Sequence, residues 1–165
     1  MKIGLLSDTH GFLMPAIFDF LADCDEVWHC GDVGNETVLQ TLAAFKPLRA
    51  VYGNIDGREI RYRCPESLTF SVEGIRVCIT HIGGYPQHYD PKAIALIKKE
   101  CPQLFVCGHS HILRVMQDPT HKLLYMNPGA AGYHGFHQFS TLLRFEITHG
   151  TPKQLEVFQL PRHEV

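Results

Sequence analysis

The sequence Cys-Gly-His-Ser-His at residues 107–111 is the stretch from which the rest of the chain is interpreted. It overlaps the end of an apolar run, 104–107, which is typical of a buried strand, and Gly108 permits a sharp turn there. Side chains two positions apart in an extended segment lie on the same side, so His109 and His111 are expected to meet in one small volume. The alternative is a pair of surface histidines in a turn, which an isolated His-x-His motif would favour.

Three earlier apolar runs predict strands that each end in a residue of a metal-binding type. The runs are 2–7 before Asp8-Thr9-His10, 26–30 before Gly31-Asp32, and 49–52 before Gly53-Asn54. Helical spacing at 14–21 and 36–45 separates them, so we predict parallel strands with right-handed crossovers. Functional groups of such sheets gather beyond the carboxyl ends of the strands. Two alternatives remain: Asp8 caps the helix that begins near Pro15, and Asn54 is an ordinary turn residue.

The second half of the chain predicts further strands, with another histidine at a strand end. Two runs alternate around Glu73-Gly74, which predicts a β-hairpin, and His81 follows it directly. A helix is predicted from a cap at Asp90 to Lys99. The hairpin strands are 67–72 and 75–80, and the remaining strands, expected to be mainly antiparallel, are 112–116, 123–126, 140–147 and 154–160.

Composition predicts a soluble protein with one domain over residues 1–165. Hydrophobic residues make up 45% and charged residues 19%, which is ordinary for a globular chain. The net charge of −2 argues against a general nucleic-acid or membrane surface. Because Asp8 interrupts the first apolar run, we expect neither a signal peptide nor a membrane span, and therefore a cytoplasmic protein. The six cysteines lack Cys-x-x-Cys spacing, so we expect reduced thiols.

The side chains placed after these runs form a set that suits two cations rather than one. The set is Asp8, His10, Asp32, Asn54, His81, His109 and His111. With Asp32 bridging, it divides into two shells, and paired ions of this kind lie roughly 3.5–4 Å apart. Mixed nitrogen and oxygen ligands favour Mn²⁺, Fe²⁺, Ni²⁺ or Zn²⁺ over Mg²⁺ or Ca²⁺, and we take Mn²⁺ as the expected ion. Such a set is typical of two-metal hydrolases.

The order of these motifs resembles the calcineurin-like metallophosphoesterase superfamily, and in particular its small single-domain prokaryotic phosphodiesterase branch. The family's blocks DxH, GD, GN, H and GHxH occur in that order as Asp8-Thr9-His10, Gly31-Asp32, Gly53-Asn54, His81 and Gly108-His109-Ser110-His111. The resemblance implies an α/β fold, a four-layer αββα sandwich of two mixed β-sheets flanked by helices. It also implies one ion held by Asp8, His10, Asp32 and His111, and the other by Asp32, Asn54, His81 and His109.

The same resemblance implies a metal-dependent phosphoesterase. We predict a phosphodiesterase that cleaves a small phosphodiester by in-line attack of a metal-bridging hydroxide, with Asp32, Asn54 and His81 as its catalytic residues. Many relatives continue the GN block with a histidine thought to assist the leaving group, whereas this chain has Ile55. The role of general acid is therefore vacant. The sequence leaves the physiological substrate open.

Two further residues are candidate substrate contacts. Arg58 carries a planar fork of donors that suits a phosphate, although an ordinary salt bridge to Asp56 or Glu59 is an equal alternative. His88 is a candidate for the substrate entrance, and its alternative is an exposed loop position. Neither residue belongs to the motifs of the family.

Functions of other classes remain as alternatives. The adaptor subunit of the retromer coat also resembles this family and is chiefly an interaction protein, but all seven ligand positions are filled here, which favours catalysis. A redox metalloenzyme is disfavoured because the set lacks thiolates. The aromatic-rich loop with Tyr133, Phe136 and Phe139 is a candidate homo-oligomer contact, and its His134 and His137 are expected near the cleft or a partner. Surface positions are expected for His121, His149 and His163.

Overall fold

The computed structural model describes residues 1–162, so the expected surface residue His163 lies outside the described residues. The helices are α1 (Pro15–Leu21), α2 (Glu36–Phe45), α3 (Arg58–Arg63) and α4 (Pro91–Glu100). The strands are β1 (Lys2–Leu6), β2 (Glu26–His29), β3 (Leu48–Ala50), β4 (Ser67–Val72), β5 (Ile75–Thr80), β6 (Gly84–Tyr85), β7 (His88–Tyr89), β8 (Leu104–Val106), β9 (Leu113–Asp118), β10 (Leu123–Pro128), β11 (Phe139–Thr148) and β12 (Thr151–Pro161). None of the described helices has the length and apolar character needed to cross a membrane.

Two five-stranded sheets carry the fold. The first sheet has the order β12-β11-β1-β2-β3, and the second has the order β4-β5-β8-β10-β9. In the first sheet β1, β2 and β3 are parallel, as predicted, and β11 runs antiparallel to β1. In the second sheet β5, β8 and β10 are parallel, and β4 and β9 pair antiparallel at the edges. Both sheets are therefore mixed, and their parallel strands end on loops that can carry functional groups.

Alternating burial along the strands separates three apolar layers. In β1, Leu5 packs between the two sheets, whereas its neighbour Leu6 packs among residues of α1 and α2. In β5, Val77 belongs to the layer between the sheets, whereas Cys78 packs with residues of α4. Because successive side chains of a strand point to opposite faces, the order of layers is helix, sheet, sheet, helix. The predicted αββα sandwich is confirmed.

Helix α3 and the β6–β7 hairpin were not predicted, whereas the longer elements were. The predicted bounds of α2 and of the β4–β5 hairpin agree with the structure. Helix α3 has 6 residues, and the β6–β7 hairpin has strands of 2 residues each. Elements of this length contain too few turns or alternations for a periodic pattern to develop. Strand β10 extends two residues beyond its predicted end, because Asn127 and Pro128 still belong to it.

The packing of the layer between the sheets can be tested by substituting Trp28. Trp28 is fully buried, and its ring lies edge-on to Phe70 and Phe145, with centroid distances of 5.2 and 5.9 Å. We expect Trp28→Ala to lower the free energy of unfolding by about 3–5 kcal/mol, because the lost contacts leave a cavity. Urea denaturation measures this change. The control Tyr62→Ala removes a side chain that is 94% exposed, and its effect should stay within about 0.5 kcal/mol. Equal effects of the two substitutions would contradict the packing.

Candidate metal centre

All the predicted metal ligands lie in loops that directly follow strands. Asp8 and His10 follow β1, Asp32 follows β2, Asn54 follows β3, His81 follows β5, and His109 and His111 follow β8. Because β1, β2 and β3 belong to the first sheet and β5 and β8 to the second, the ligands come from both sheets. The structure brings the carboxylates and imidazoles among them into two neighbouring groups.

The first group consists of Asp8, His10 and His111, whose ligand atoms all lie within 4.8 Å of one another. His111 Nε2 lies 3.2 Å from Asp8 Oδ1 and 3.4 Å from His10 Nε2. One carboxylate oxygen and two imidazole nitrogens thus converge on a single point. This composition suits a divalent transition ion.

The second group consists of Asp32, His81 and His109, again within 4.8 Å of one another. His81 Nε2 lies 3.2 Å from Asp32 Oδ1 and 3.0 Å from the amide oxygen of Asn54. The other oxygen of Asp32, Oδ2, lies 3.9 Å from His10 Nε2 of the first group. The two oxygens of Asp32 therefore face different groups, which is the arrangement that a bridging carboxylate needs. The division agrees with the two shells implied by the family resemblance.

A buried carboxylate oxygen of Asp8 without a hydrogen-bond partner indicates whether these residues fit a cation. Asp8 Oδ1 is buried and accepts no hydrogen bond within the described chain, although His111 Nε2 lies 3.2 Å away and the Nε2 atoms of His10 and His81 lie 4.0 Å away. A buried carboxylate oxygen without a partner is costly, and a bound cation removes that cost. Across residues 1–162, the ion pairs of Asp8 and Asp32 are formed with histidines and with no lysine or arginine. The donor set therefore fits divalent ions.

The backbone at the ligands differs from the extended conformation that the His-x-His and Asp-x-His spacings suggested. The ligands with positive φ are Asp8 (54°), His10 (48°), Asp32 (52°), His109 (69°) and His111 (56°). The left-handed region is sparsely populated by residues other than glycine, and such residues cluster at functional sites. The side chains do converge, as predicted, but loop geometry rather than strand alternation causes it. His109 and His111 consequently serve different groups.

The protonation of the ligands is set by burial and by neighbouring carboxylates. Burial lowers the pKa of His10, which favours the neutral imidazole that binds metals. Burial opposes ionisation of Asp32, but the hydrogen bond and charge of His81, together with the Ile55 N–H and the charge of His10, hold the pKa of Asp32 below its usual value. Burial also acts against the protonated form of His81, yet the hydrogen bond to Asp32 and the charge of Asp8 raise the pKa of His81. Metal binding at His81 must therefore displace a proton.

His29 supports the Asp-x-His loop from inside β2. Gly31 N–H donates to His29 Nδ1 at 3.2 Å, so the ring proton is on Nε2, which donates to Thr9 Oγ1 at 2.9 Å. The Thr9 hydroxyl in turn donates to the carbonyl of Val33. Burial lowers the pKa of His29 to about 4, and the ring stays neutral at physiological pH. His29 is thus a buried, hydrogen-bonded histidine behind the ligands.

Asp56 is a supporting residue that the sequence did not identify as such. Its carboxylate accepts hydrogen bonds from the backbone N–H groups of Val33 (3.1 Å), Gly34 (2.8 Å) and Gly53 (2.8 Å). These bonds tie the loop after β2 to the loop after β3. From the sequence, Asp56 was considered only as an ion-pair partner of Arg58, whereas its carboxylate oxygens accept these backbone hydrogen bonds. An acid two positions after the Gly-Asn motif was the available signal.

Asn127 performs the same task for the Gly-His-Ser-His loop. Its side-chain amide donates to the carbonyl of Gly108 at 2.8 Å and to Ser110 Oγ at 3.1 Å. Its amide oxygen accepts from Gly129 N–H at 3.0 Å. Asn127 is fully buried at the end of β10. It holds the loop that presents two of the histidine ligands.

The glycines before Asp32 and Asn54 leave room for ligand side chains. A Cβ on Gly53 would lie 2.0 Å from Asp32 Oδ1. Gly31 has a φ of +93°, and a Cβ there would lie 2.7 Å from His81 Nδ1. Larger residues at either position would push a ligand away, which explains why both motifs begin with glycine.

The structure gives the positions of three further residues that the sequence singled out. The alternative that Asp8 caps α1 is wrong, because the helix begins after Met14. Arg58 lies exposed in the first turn of α3 and lines a groove shared with α2 rather than the two ligand groups. His88 is exposed in β7, with its ring centroid 4.9 Å from that of Tyr85. As substrate contacts, Arg58 and His88 remain predictions.

The loop between β10 and β11 reaches the first ligand group. The ring centroid of His134 lies 4.9 Å from that of His10, and His137 Nδ1 lies 3.3 Å from His111 Nδ1. Both histidines therefore lie at the cleft, as one of the two expectations had it. Phe136 is fully exposed and Phe139 is 40% exposed. An oligomer contact through these aromatic residues stays a prediction.

Known proteins resemble this chain in both sequence and fold. A probable metallophosphoesterase of Methanothermobacter thermautotrophicus is 30% identical over 138 residues, which cover 79% of this chain and 77% of that protein. A phosphodiesterase of Methanocaldococcus jannaschii is 27% identical over 150 residues, covering 81% of this chain and 86% of that protein. A solved structure of Vps29 from Entamoeba histolytica superimposes with a TM-score of 0.76 at 16% identity, covering 97% and 99% of the two chains, and this shows the fold alone.

The family itself follows from a match that spans most of the chain. The model of the calcineurin-like phosphoesterase superfamily domain matches residues 1–150, which include every ligand of both groups. That family uses divalent metal ions, in agreement with the two ligand groups. On this match, and on the identity with the metallophosphoesterase of Methanothermobacter thermautotrophicus, the chain belongs to the calcineurin-like phosphoesterase superfamily.

Proposed function

We propose that the protein is a dinuclear metal-dependent phosphodiesterase that hydrolyses a small phosphodiester. The observation that carries this proposal is the position of Asp32, whose two carboxylate oxygens face two separate ligand groups. Each group adds two imidazoles, and Asn54 adds a neutral oxygen beside His81. Two divalent ions fit this donor set, and Mn²⁺ is the ion we propose, with Ni²⁺, Fe²⁺ or Zn²⁺ as alternatives.

The residues of the chain supply position and charge for the reaction. Asp8, His10, Asp32 and His111 would hold one ion, and Asp32, Asn54, His81 and His109 would hold the other. Bound divalent ions supply Lewis acidity toward a phosphoryl oxygen and make hydroxide accessible near neutral pH. His81 Nδ1–H donates to the carbonyl of Cys30 at 2.7 Å, which turns its Nε2 toward the second group. The rigid ligands thus limit reorganisation during the reaction.

A cavity beside His81 of the second group favours a diester over a monoester. A cavity of about 550 Å³ begins at His81 and Ile82 and is lined further by Tyr52, Leu96 and Lys99. A phosphodiester has an ester arm on each side of phosphorus, and this cavity offers a place for one of them. The phosphodiesterase of Methanocaldococcus jannaschii, 27% identical, also supports this choice.

The alternative function is a protein-interaction module on the same scaffold. The fold likeness to Vps29 of Entamoeba histolytica is compatible with it but shows the fold alone. The complete ligand set favours the enzyme, because a binding surface does not need two groups of converging imidazoles and carboxylates. Metal loading followed by a turnover assay separates the two functions.

A cytoplasmic location is part of the same proposal. All six cysteines are free, and five of them are buried. Burial raises the pKa of Cys107 to about 12 and that of Cys24 to about 11, so these thiols are unreactive. Unpaired thiols are typical of a reducing compartment.

The experiment that tests the enzyme compares two esters on metal-loaded protein. The protein is stripped with a chelator, reloaded with Mn²⁺, and assayed with bis(p-nitrophenyl) phosphate and p-nitrophenyl phosphate. We expect turnover of the diester to exceed that of the monoester by at least about tenfold, which corresponds to about 1.4 kcal/mol in the barrier. A sample reloaded with Ca²⁺ serves as the control and should be inactive, because Ca²⁺ prefers a cage of oxygen ligands.

Two outcomes would contradict the proposal. Protein that carries two Mn²⁺ ions and turns over neither ester would favour the interaction module. Faster turnover of the monoester would instead preserve a phosphoesterase and reject the diester.

A further inference from the structure

His137 is an imidazole outside the family motifs, and one of its ring nitrogens lies within hydrogen-bond distance of a predicted ligand. It lies in the loop between β10 and β11, half-buried, with its Nδ1 3.3 Å from His111 Nδ1. His111 presents its other nitrogen, Nε2, to Asp8 Oδ1 at 3.2 Å. The contact with His137 is therefore made from the side of His111 that faces away from the first group.

The hydrogen-bond partners of His137 determine which ring nitrogen carries its proton. His137 Nε2 lies 3.0 Å from the carbonyl oxygen of Gly132, and a carbonyl can only accept, so Nε2 is the donor. The lone pair of a neutral His137 is then on Nδ1, which faces His111. Consequently His111 Nδ1–H donates to His137 Nδ1, and a neutral His111 has its lone pair on Nε2, toward the first group.

We propose that His137 is a positioning residue that fixes the tautomer and orientation of His111 for metal binding at the first group. This inference rests on the proposed function, because it assumes that the first group holds an ion. His81 provides an internal comparison: its Nδ1–H donates to the Cys30 carbonyl at 2.7 Å, and its Nε2 faces the second group. Each group thus has one histidine anchored through Nδ1, by a backbone carbonyl in one case and by His137 in the other.

The loop is built to bring His137 to this place. Gly135 has a φ of +123°, and a Cβ there would lie 2.4 Å from His111 Nδ1, so a larger residue would separate the two rings. Ser140 Oγ donates to the same Gly132 carbonyl that His137 contacts, at 3.1 Å. Arg162 donates to the carbonyl of Gly135 through its guanidinium and to the carbonyl of Gln138 through its backbone. These bonds fix both ends of the segment that carries His137.

A matched pair of substitutions separates the contact with His111 from the support of the loop. An asparagine amide reaches about as far as Nδ1 of histidine, so His137→Asn keeps an acceptor for His111 and loses the bond to Gly132. A glutamine amide reaches about as far as Nε2, so His137→Gln keeps the bond to Gly132 and loses the acceptor. His149→Asn, at an exposed turn position, is the control for replacing a histidine elsewhere.

Two measurements on these proteins test the proposal. Nitrogen-15 NMR of the metal-free protein should find His111 as the Nδ1–H tautomer in the wild type and in His137→Asn, and no longer dominated by it in His137→Gln. Calorimetric titration with Mn²⁺ should find one of two sites weakened about 10–100-fold in His137→Gln, and both sites nearly unchanged in His137→Asn and His149→Asn.

The outcomes distinguish this inference from the proposed function. Equal losses in the two His137 variants would overturn it, because they would indicate a role in loop structure alone. An Nε2–H tautomer of His111 in the wild type would overturn it as well. Wild-type protein that binds no Mn²⁺ would contradict the proposed function and the metal role of His137, while the NMR result would still decide whether His137 sets the tautomer.

Discussion

Asp32→Asn is expected to abolish phosphodiester turnover while the fold is kept. The carboxylate of Asp32 faces both ligand groups, with Oδ1 3.2 Å from His81 Nε2 and Oδ2 3.9 Å from His10 Nε2. Asparagine has nearly the same shape and tolerates the positive φ of 52° at this position, so the main change is the loss of one negative charge shared by the two groups. Loss of a single oxyanion-hole donor costs about 100–1,000-fold in other hydrolases. A bridging ligand should cost more than about 1,000-fold.

The measurement combines kcat/KM for an aryl diester with the number of Mn²⁺ ions bound per chain. We expect the variant to retain at most one of the two ions. Asp19→Asn is the matched control, because Asp19 is an exposed carboxylate on α1, away from the ligand loops. Its activity and metal content should equal those of the wild type. Normal metal content and activity in Asp32→Asn would reject the bridging assignment.

The second large effect concerns the leaving group. Ile55 stands at the position where the family resemblance implies a histidine that assists leaving-group departure in many relatives, and its side chain is 49% exposed beside Asn54. General acids contribute about 100–10,000-fold in rate. Without one, diesters with alkyl leaving groups should react slower than aryl diesters by at least this factor. A series of diesters with graded leaving-group pKa values measures the slope under conditions where chemistry limits the rate.

Ile55→His provides the gain-of-function counterpart. The new imidazole should accelerate alkyl diesters by about 10–100-fold and leave the best aryl diester nearly unchanged, because only poor leaving groups need a proton. The control Ile55→Gln adds a polar side chain that does not titrate near neutral pH. A shallow slope in the wild type would contradict the vacancy at position 55. In that case the exposed His134, whose ring centroid lies 4.9 Å from that of His10, would be the candidate proton donor.

The fold and the ligand set were largely predictable because each ligand directly follows a buried strand. Parallel strands end at the same edge of a sheet, so Asp8, Asp32 and Asn54 had to lie near one another. The hairpin around Glu73-Gly74 and the cap at Asp90 were also readable from local chemistry, and both are present. Local patterns therefore indicated the candidate ligands and the order of the layers.

The supporting contacts were not predictable, because they join segments that are distant in the chain. His137 lies 26 residues beyond His111, and their contact depends on how the loop after β10 folds back over the site. Asp56 accepts hydrogen bonds from backbone N–H groups, and these contacts do not depend on the side chains of its partners. The positive φ values of His109 and His111 were also not predictable, because the argument from strand alternation assumes an extended backbone.

Both ligand groups draw side chains from the two sheets. In the first group Asp8 follows β1 of one sheet, and His111 follows β8 of the other; the second group joins Asp32 and His81 in the same way. An ion that binds the folded chain and not the unfolded one stabilises the folded chain by mass action. An ion held by either group would also connect the two sheets. Scarcity of that ion in a cell would thus expose the chain to proteolysis, and the abundance of the protein would follow the supply of metal.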